Sequence, residues 1–407
     1  MRKLRWGLVL AALGAALVAA TQIAARPNTT DAAKPVKIGA SLPLTGDFSE
    51  PGTAASRGYK IWQQLVNARG GLLNRKVQLV ILDDRSDQNT IVSDYNRLIT
   101  QTKVDLLLGT FSSLLNLPAS AVAEKFHMVY VEPAGGSPKM FNRGFTYLFF
   151  AQQATAPHQA DRFSAWVNRL KGAKHPSTAA YPTQDDPFAA PVIAGIESKL
   201  KPKGIKTVYS QTYPPSTTDF DTIAAGIKSA NPDVVAQGAV FDDGVGLIRS
   251  MRKVNFNPKI FFQTSAPSEA STFSKAIGIK NTEGIFYAVS WSPASKGKLY
   301  PQNQAFLKAY KKRYHGLPAE DAADAYAAAQ VLETAVRAVK SIDQDKIKDY
   351  LHSHTVKTIL GPLSWDSTGA PQQAFLLAQW QRGKSQIVAP KTAATTKTII
   401  YPKPHWR

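Results

Sequence analysis

Between Val36 and Asn96 a strand, a loop, an amphipathic helix, a second strand and a second helix follow in close order, and that alternation restricts the chain to an α/β architecture. VKIGASL (Val36 to Leu42) is a short apolar-rich run ending in PLTGDFSEPG, whose Pro and Gly residues punctuate a loop. Tyr59, Trp62, Leu65 and Val66, with Ile61 beside them, recur near helical spacing until Gly70 and Gly71 stop the helix. KVQLVILDD (Lys76 to Asp84) resumes β character, and Asp87 is placed to cap a helix carrying Ile91, Val92, Tyr95, Leu98 and Ile99. The order is that of a parallel βαβ unit.

The cycle continues with VDLLLG (Val104 to Gly109), a helix through Ala119 to Phe126, the strand MVYVEP and a strand near Tyr147 to Ala151. From Ala156 it starts again. Helices to Leu170, over Pro187 to Leu200, Phe220 to Ala230 and Gly244 to Lys253 alternate with strands Thr178 to Tyr181, Ile205 to Tyr213, Asp233 to Gln237 and Lys259 to Gln263. A helix to Ile277, the β run GIFYAVSW (Gly284 to Trp291), helices Gln302 to Tyr314 and Ala322 to Lys340, a short helix to His352, a hairpin around Trp365 and the strand AFLLAQW (Ala374 to Trp380) complete the series. The alanine-rich helix after Ala322 reads as a core helix, because alanine favours both helix and close packing.

A chain of 407 residues exceeds what one core usually holds, so two lobes are expected, and 44% hydrophobic content suffices to bury both. Arg2, Lys3 and Arg5 precede an apolar run from Trp6 to Ala20, too short to span a membrane comfortably and followed by small residues. An export signal over residues 1–20 is therefore expected, with a second cut site at Ala25, an uncleaved anchor being the alternative. Residues 21–35, polar and without periodicity, read as a linker. The absence of cysteine excludes disulfides, thiolate metal sites and a lipoprotein anchor. The net charge of +20 permits nucleic acid or anionic polymer as a partner. Its lysines and arginines are scattered, however, without an aromatic-interleaved stripe, so no nucleic-acid partner is expected.

Ligands of open parallel sheets bind beyond the carboxyl ends of the strands. Three loops qualify: 46–52, 110–118 and 133–138. Ser112 and Ser113 offer hydroxyls, and the backbone of Ser113 and of Ala134, Gly135 and Gly136 can point N–H groups at a carboxylate beside a positive helix end. Turn formation accounts for the same serines and glycines equally well. Asp83, Asp84 and Asp87 lack calcium-loop spacing and read as strand-end and capping residues. Asp185, Asp186, Asp242 and Asp243 begin helices or line the cleft. His352 and His354 stand apart from other ligands, so no metal is expected, and no cofactor motif follows any strand.

The segments IGASLPLTG, NARGGLLNRKVQLVILDDRSD, GTFSSLLNLPAS, VEPAGGSP and GPLSWDSTG, in that order, resemble type I periplasmic binding proteins, in particular the leucine/isoleucine/valine-binding branch of ABC importers. The resemblance spans Val36 to Trp380. It implies two doubly wound parallel-sheet lobes joined by a three-segment hinge with crossings near residues 155, 288 and 373. Lobe 1 would comprise 36–154 plus 288–372, and lobe 2 would comprise 155–287 plus 373–401. It also implies that the serine loop and the Ala134–Gly136 loop hold the carboxylate and amino group of a ligand. Aromatic pocket positions align with Phe48 or Pro51, with Phe188 and with the segment ending at Phe241.

Two departures matter. Gly136 stands where amino-acid binders commonly have a hydroxyl, and Thr264 stands where they place an acid against the α-ammonium; the nearest acid, Glu269, is several residues further on, and a register shift would restore it to that place. A carboxylate-bearing solute that is amino-acid-like, aromatic or apolar, without an essential ammonium, is therefore expected. The implied function is capture of that solute outside the membrane by a monomer and its delivery to ABC permease subunits. A sensor subunit of the same fold and an envelope enzyme are the alternatives; the latter lacks an identifiable acid–base or nucleophile pair.

Overall fold

The computed structural model describes residues 34–407, so the expected export signal and nearly all of the expected linker lie outside the described residues. The first lobe begins with β1 (Val36–Leu42), α1 (Ser49–Ala68), β2 (Val77–Asp83), α2 (Gln88–Thr100) and β3 (Leu106–Leu108). It continues through α3 (Ser113–Lys125), β4 (Tyr130–Glu132), α4 (Pro138–Phe141) and β5 (Leu148–Phe150). The Asp87 side chain caps α2 by accepting the Thr90 N–H. All five strands are parallel, in the order β2-β1-β3-β4-β5, with β1 and β2 in register from Val36 opposite Val77 to Leu42 opposite Asp83. The winding reverses between β1 and β3, which opens a crevice at their carboxyl ends.

The second lobe starts with α5 (Ala156–Gln159), α6 (Asp161–Val167), β6 (Thr178–Gln184), α7 (Ala189–Leu200), β7 (Lys206–Tyr213) and α8 (Asp221–Ala230). It goes on through β8 (Val234–Gln237), α9 (Phe241–Lys253), β9 (Ile260–Gln263), α10 (Ala270–Ile277) and β10 (Ile285–Val289). The chain then returns to the first lobe for α11 (Asn303–Tyr314), α12 (Glu320–Val339), α13 (Gln344–Ser353), β11 (Val356–Thr358) and β12 (Gly361–Leu363), before β13 (Leu376–Gln381) and β14 (Lys384–Ala389) close the second sheet. That sheet has the order β14-β13-β10-β9-β8-β6-β7, in which β13 pairs antiparallel with both β10 and β14.

Helix α12 organises the first lobe. Fourteen of its residues are buried, and no helix among the described residues is long and apolar enough to cross a membrane. It lies so close to α1 that a Cβ on Gly58 would stand 2.1 Å from the Ala322 carbonyl oxygen; only glycine admits this approach. Further along, Glu333 accepts the Trp62 indole N–H at 2.9 Å and pairs with Arg69 at 2.9 Å, so the same two helices are also tied by charge.

Phe150 packs in the first lobe's core and Ala156 in the second's; Val289 and Trp291 bracket the next passage, and Ala370 and Leu377 the third. These crossing segments are bonded to one another. Gln373 N–H donates to the Gln153 carbonyl at 2.8 Å, and the Gln153 amide donates to the Ser290 carbonyl at 2.6 Å.

Three local expectations differ from the structure. The helix expected from Ala156 to Leu170 is broken at Ala160 into α5 and α6. The hairpin strands are β11 and β12, with Trp365 beyond them in a turn closed by a Trp365–Pro371 bridge. Gly369 in that turn has φ +78 and packs against the Leu148 carbonyl, where a Cβ would stand 1.7 Å away. Strand β14 carries no clear alternation and was not anticipated.

Candidate functional site

A cavity of about 520 Å³ lies between the lobes, a volume suited to a small organic molecule. Phe48, Ser112, Ala134, Gly136, Phe188, Phe241 and Thr264, seven of the nine residues singled out in the sequence, line it, as does Pro51. Ser113 and Gly135 do not. The Ser113 hydroxyl accepts the Ser137 N–H at 3.0 Å and so fixes the second loop from behind.

The first-lobe wall is built where β3 and β4 end. Ser112 is the N-cap of α3, its hydroxyl accepting the Leu115 N–H at 3.4 Å, and the remaining first-turn N–H groups have no acceptor within the helix. Its backbone, at φ 69 and ψ 149, occupies a region populated almost only by glycine, a strain of about 1–3 kcal/mol that the surrounding fold must impose. The Ala134 N–H donates to the Glu132 carboxylate at 2.7 Å, so that donor is already engaged. A Cβ on Gly136 would approach the Ala156 nitrogen at 3.1 Å and the Gln159 amide nitrogen at 3.2 Å, a tight fit at this edge of the cavity. Phe48 meets Phe111 edge to face at 5.6 Å, and Phe150, Phe188, Phe241 and Phe375 complete an aromatic lining.

The same cavity is also lined by eight carboxylates. Asp47, Glu50 and Asp242 are exposed at the cavity, whereas Asp186, Glu269, Glu320, Asp321 and Asp324 line it from half-buried or buried positions. No lysine, arginine or histidine lines it. Asp186 accepts the N–H groups of Phe188 and Ala189, each at 2.8 Å, and so fixes the start of α7. Asp324 accepts from the Gln152 amide at 2.7 Å, and the Ser290 hydroxyl lies within hydrogen-bonding distance of both Asp324, at 2.5 Å, and Glu320, at 2.7 Å. The acids of α12 are thus anchored to two of the crossing segments.

Burial pushes the Glu320 carboxyl up to about 7, despite its bonds from Ser290, and raises Glu269, Asp321 and Asp324 as well. The negative charge of Glu269, which comes from the other lobe, adds to the burial that raises Asp321. Glu269, the nearest acid to the Thr264 position, is brought back to the cavity by the short helical turn after β9, and α12 adds acids remote in sequence.

The other acids singled out have structural roles. Asp83 accepts three backbone N–H groups at the end of β2, from Leu44, Thr45 and Arg85. Asp84 accepts from Ser86 N–H and the Thr110 hydroxyl, and Asp243 from the Tyr213 hydroxyl. Both ring nitrogens of His352 meet backbone carbonyls. Among the described residues, no group of three or more histidine or acidic side chains is arranged to hold a metal ion.

Two doubly wound lobes, three bonded crossings and a cavity walled by both lobes define the architecture of a cleft-type solute-binding protein. The family model for periplasmic binding proteins matches residues 35–385, and the chain belongs to that family. Membership implies an extracytoplasmic location; family and fold are those of substrate-binding proteins and not of enzymes. In sequence it is similar to Leu/Ile/Val-binding protein homolog 7 of Brucella abortus, with 27% identity over 394 residues covering 93% of this chain and 96% of the relative. In fold it is similar to the substrate-binding protein LivJ of Streptococcus pneumoniae in complex with isoleucine, with a TM-score of 0.75, 20% identity and coverage of 88% of this chain and 100% of that one. A solute-binding protein of R. palustris in complex with benzoate gives a TM-score of 0.76, 20% identity, and coverage of 90% and 99%.

Proposed function

We propose that this protein is the solute-binding component of an ABC importer and captures a small organic solute in the cleft between its lobes. The observation that carries this reading is the cavity itself, which takes one wall from each lobe and lies over crossing segments able to serve as a hinge. Rotation about those segments would bring Phe48, Phe111 and Ser112 toward Phe188, Phe241 and Thr264, and the solute would favour the closed arrangement. A solute carboxylate has its seat at the α3 N-terminus beside Ser112 and Gly136, and the aromatic lining receives the solute's apolar part. Relatives in fold bind isoleucine and benzoate, two solutes that share a carboxylate and an apolar body. The protein acts as a monomer at the cell envelope and docks in its closed form on permease subunits. Small-angle scattering with and without the solute that co-purifies tests this: a smaller radius of gyration with solute is expected, and an unchanged radius on saturation overturns the hinge mechanism.

A further inference from the structure

We infer that the solute is an organic cation, held by an ammonium or guanidinium group seated between Glu269 of the second lobe and Glu320, Asp321 and Asp324 of the first. This rests on reading the cleft as a solute site and narrows what fills it.

Composition does not explain the acid wall. The chain carries 49 lysines and arginines against 29 acids, yet eight of those acids and none of the bases line the cavity. Helix chemistry explains only part of it. Glu320 and Asp321 occupy the first turn of α12, where the helix dipole favours acids. Asp324 lies a turn further in, and Glu269 comes from the other lobe.

Carboxylates withdrawn from water without a cationic partner cost several kcal/mol, and here they face each other across a cleft. Glu269 and Asp321 line the same cavity from opposite lobes, and each disfavours the other's negative charge. A cation seated between them turns a repulsive seam into a bridge between lobes, so it stabilises the closed state through contacts that an open cleft lacks. Gln159 supplies a separate sign of an occupant. It is only 7% exposed, it lines the same cavity, and among the described residues its side-chain amide has no hydrogen-bond partner. A bare metal ion fits poorly: the acids are not arranged as a ligand set, and a cavity of about 520 Å³ is far larger than one dehydrated ion.

The test is calorimetric titration of the full chain, freed of co-purified solute by denaturation and refolding, with lysine, agmatine and putrescine against leucine, benzoate and calcium chloride. The released solute is identified by mass spectrometry. At least one of the three organic cations is expected to bind more tightly than leucine or benzoate, and Glu269→Gln with Asp321→Asn is expected to weaken it at least tenfold. Both substitutions keep side-chain volume; the single variant Glu269→Gln gives a second reading should the pair fail to fold. Preference for leucine or benzoate, a released solute that is neutral or anionic, or binding of calcium alone overturns the inference while leaving the cleft a binding site. Failure of every probe to bind, with no small molecule released, overturns the solute-binding reading and this inference together.

Discussion

Where Phe48, Phe111 and Phe150 meet the start of α3, the cleft is made of rings, backbone and one hydroxyl; where α12 begins, it is made of carboxylates. The first region comes from segments that each end or follow a strand of the first sheet, and its local motifs declare it. The second joins Glu269 to residues 320–324 and relies on the Gly58–Ala322 contact to hold α12 in place. One wall offers area and shape, which many solutes satisfy. The other offers charge in a partly dry site, where a mismatched solute pays heavily.

The most severe way to break this contrast is Asp321→Lys, which places an ammonium within the protein's own acid wall. Loss of solute binding by about 100-fold or more is expected, as for a buried charge left with the wrong partner. The same variant should compact the solute-free protein in small-angle scattering, because the new cation bridges the lobes; an unaltered radius of gyration would place Asp321 outside the bridge.

Acid titration sharpens the charged end next. Burial raises the Asp84, Asp243 and Glu320 carboxyls to about 7. A carboxyl raised in the folded state binds its proton more tightly there than in the unfolded chain, so its effect makes stability fall as pH rises from about 4 to about 7 and then level off. The melting temperature should therefore be higher at pH 5 than at pH 7.5. Glu320 faces Glu269, Ser268 and Ser290 together with Asp321 and Asp324 of its own helix, so Glu320→Gln should flatten the dependence in part. Saturating cation should flatten it further, with proton release on binding measurable by calorimetry in buffers of different ionisation enthalpy.

At the apolar end, Phe111→Ala should weaken binding by about 1.5–3 kcal/mol, the scale of burying one aromatic side chain, and to similar extents for solutes of different charge. A loss confined to cations would show that the two ends are not separable. Gly58→Ala acts on the contact between α1 and α12: with the new methyl against a backbone carbonyl, a destabilisation of about 1–3 kcal/mol is expected from denaturant unfolding. Cation affinity should fall with it, since α12 carries the acids.

The smallest effect expected is that of Ser112→Gly. It removes the hydroxyl at the proposed carboxylate seat, with an expected weakening of binding by about 0.5–1.5 kcal/mol, while relieving backbone strain so that the unliganded protein is no less stable. Parallel losses of stability and affinity would instead make Ser112 simply a helix cap.

Much of this was legible before any coordinates. β1 has the bounds its apolar run indicated, α2 has its expected Asp87 cap, and α12 is a core helix, because strand alternation, caps and alanine content act through neighbours in sequence. Seven of the nine residues chosen for the site line the cavity for a related reason: they sit at strand ends, and a doubly wound sheet gathers its strand ends. Ser113 escaped that logic, since one residue's rotation along α3 turns its hydroxyl from the cleft to Ser137. The acid wall escaped it altogether. Glu320 and Asp321 look like ordinary helix-start acids, and Glu269 looks several residues too late in its loop. The sequence alone determined the alternating elements, the two cores and the loops at the strand ends, since each depends on local pattern and hydrophobic burial. Tertiary structure decided the charge of the site, because carboxylates separated by some fifty residues become one electrostatic group only when the lobes bring them together in a cavity with little water to screen them.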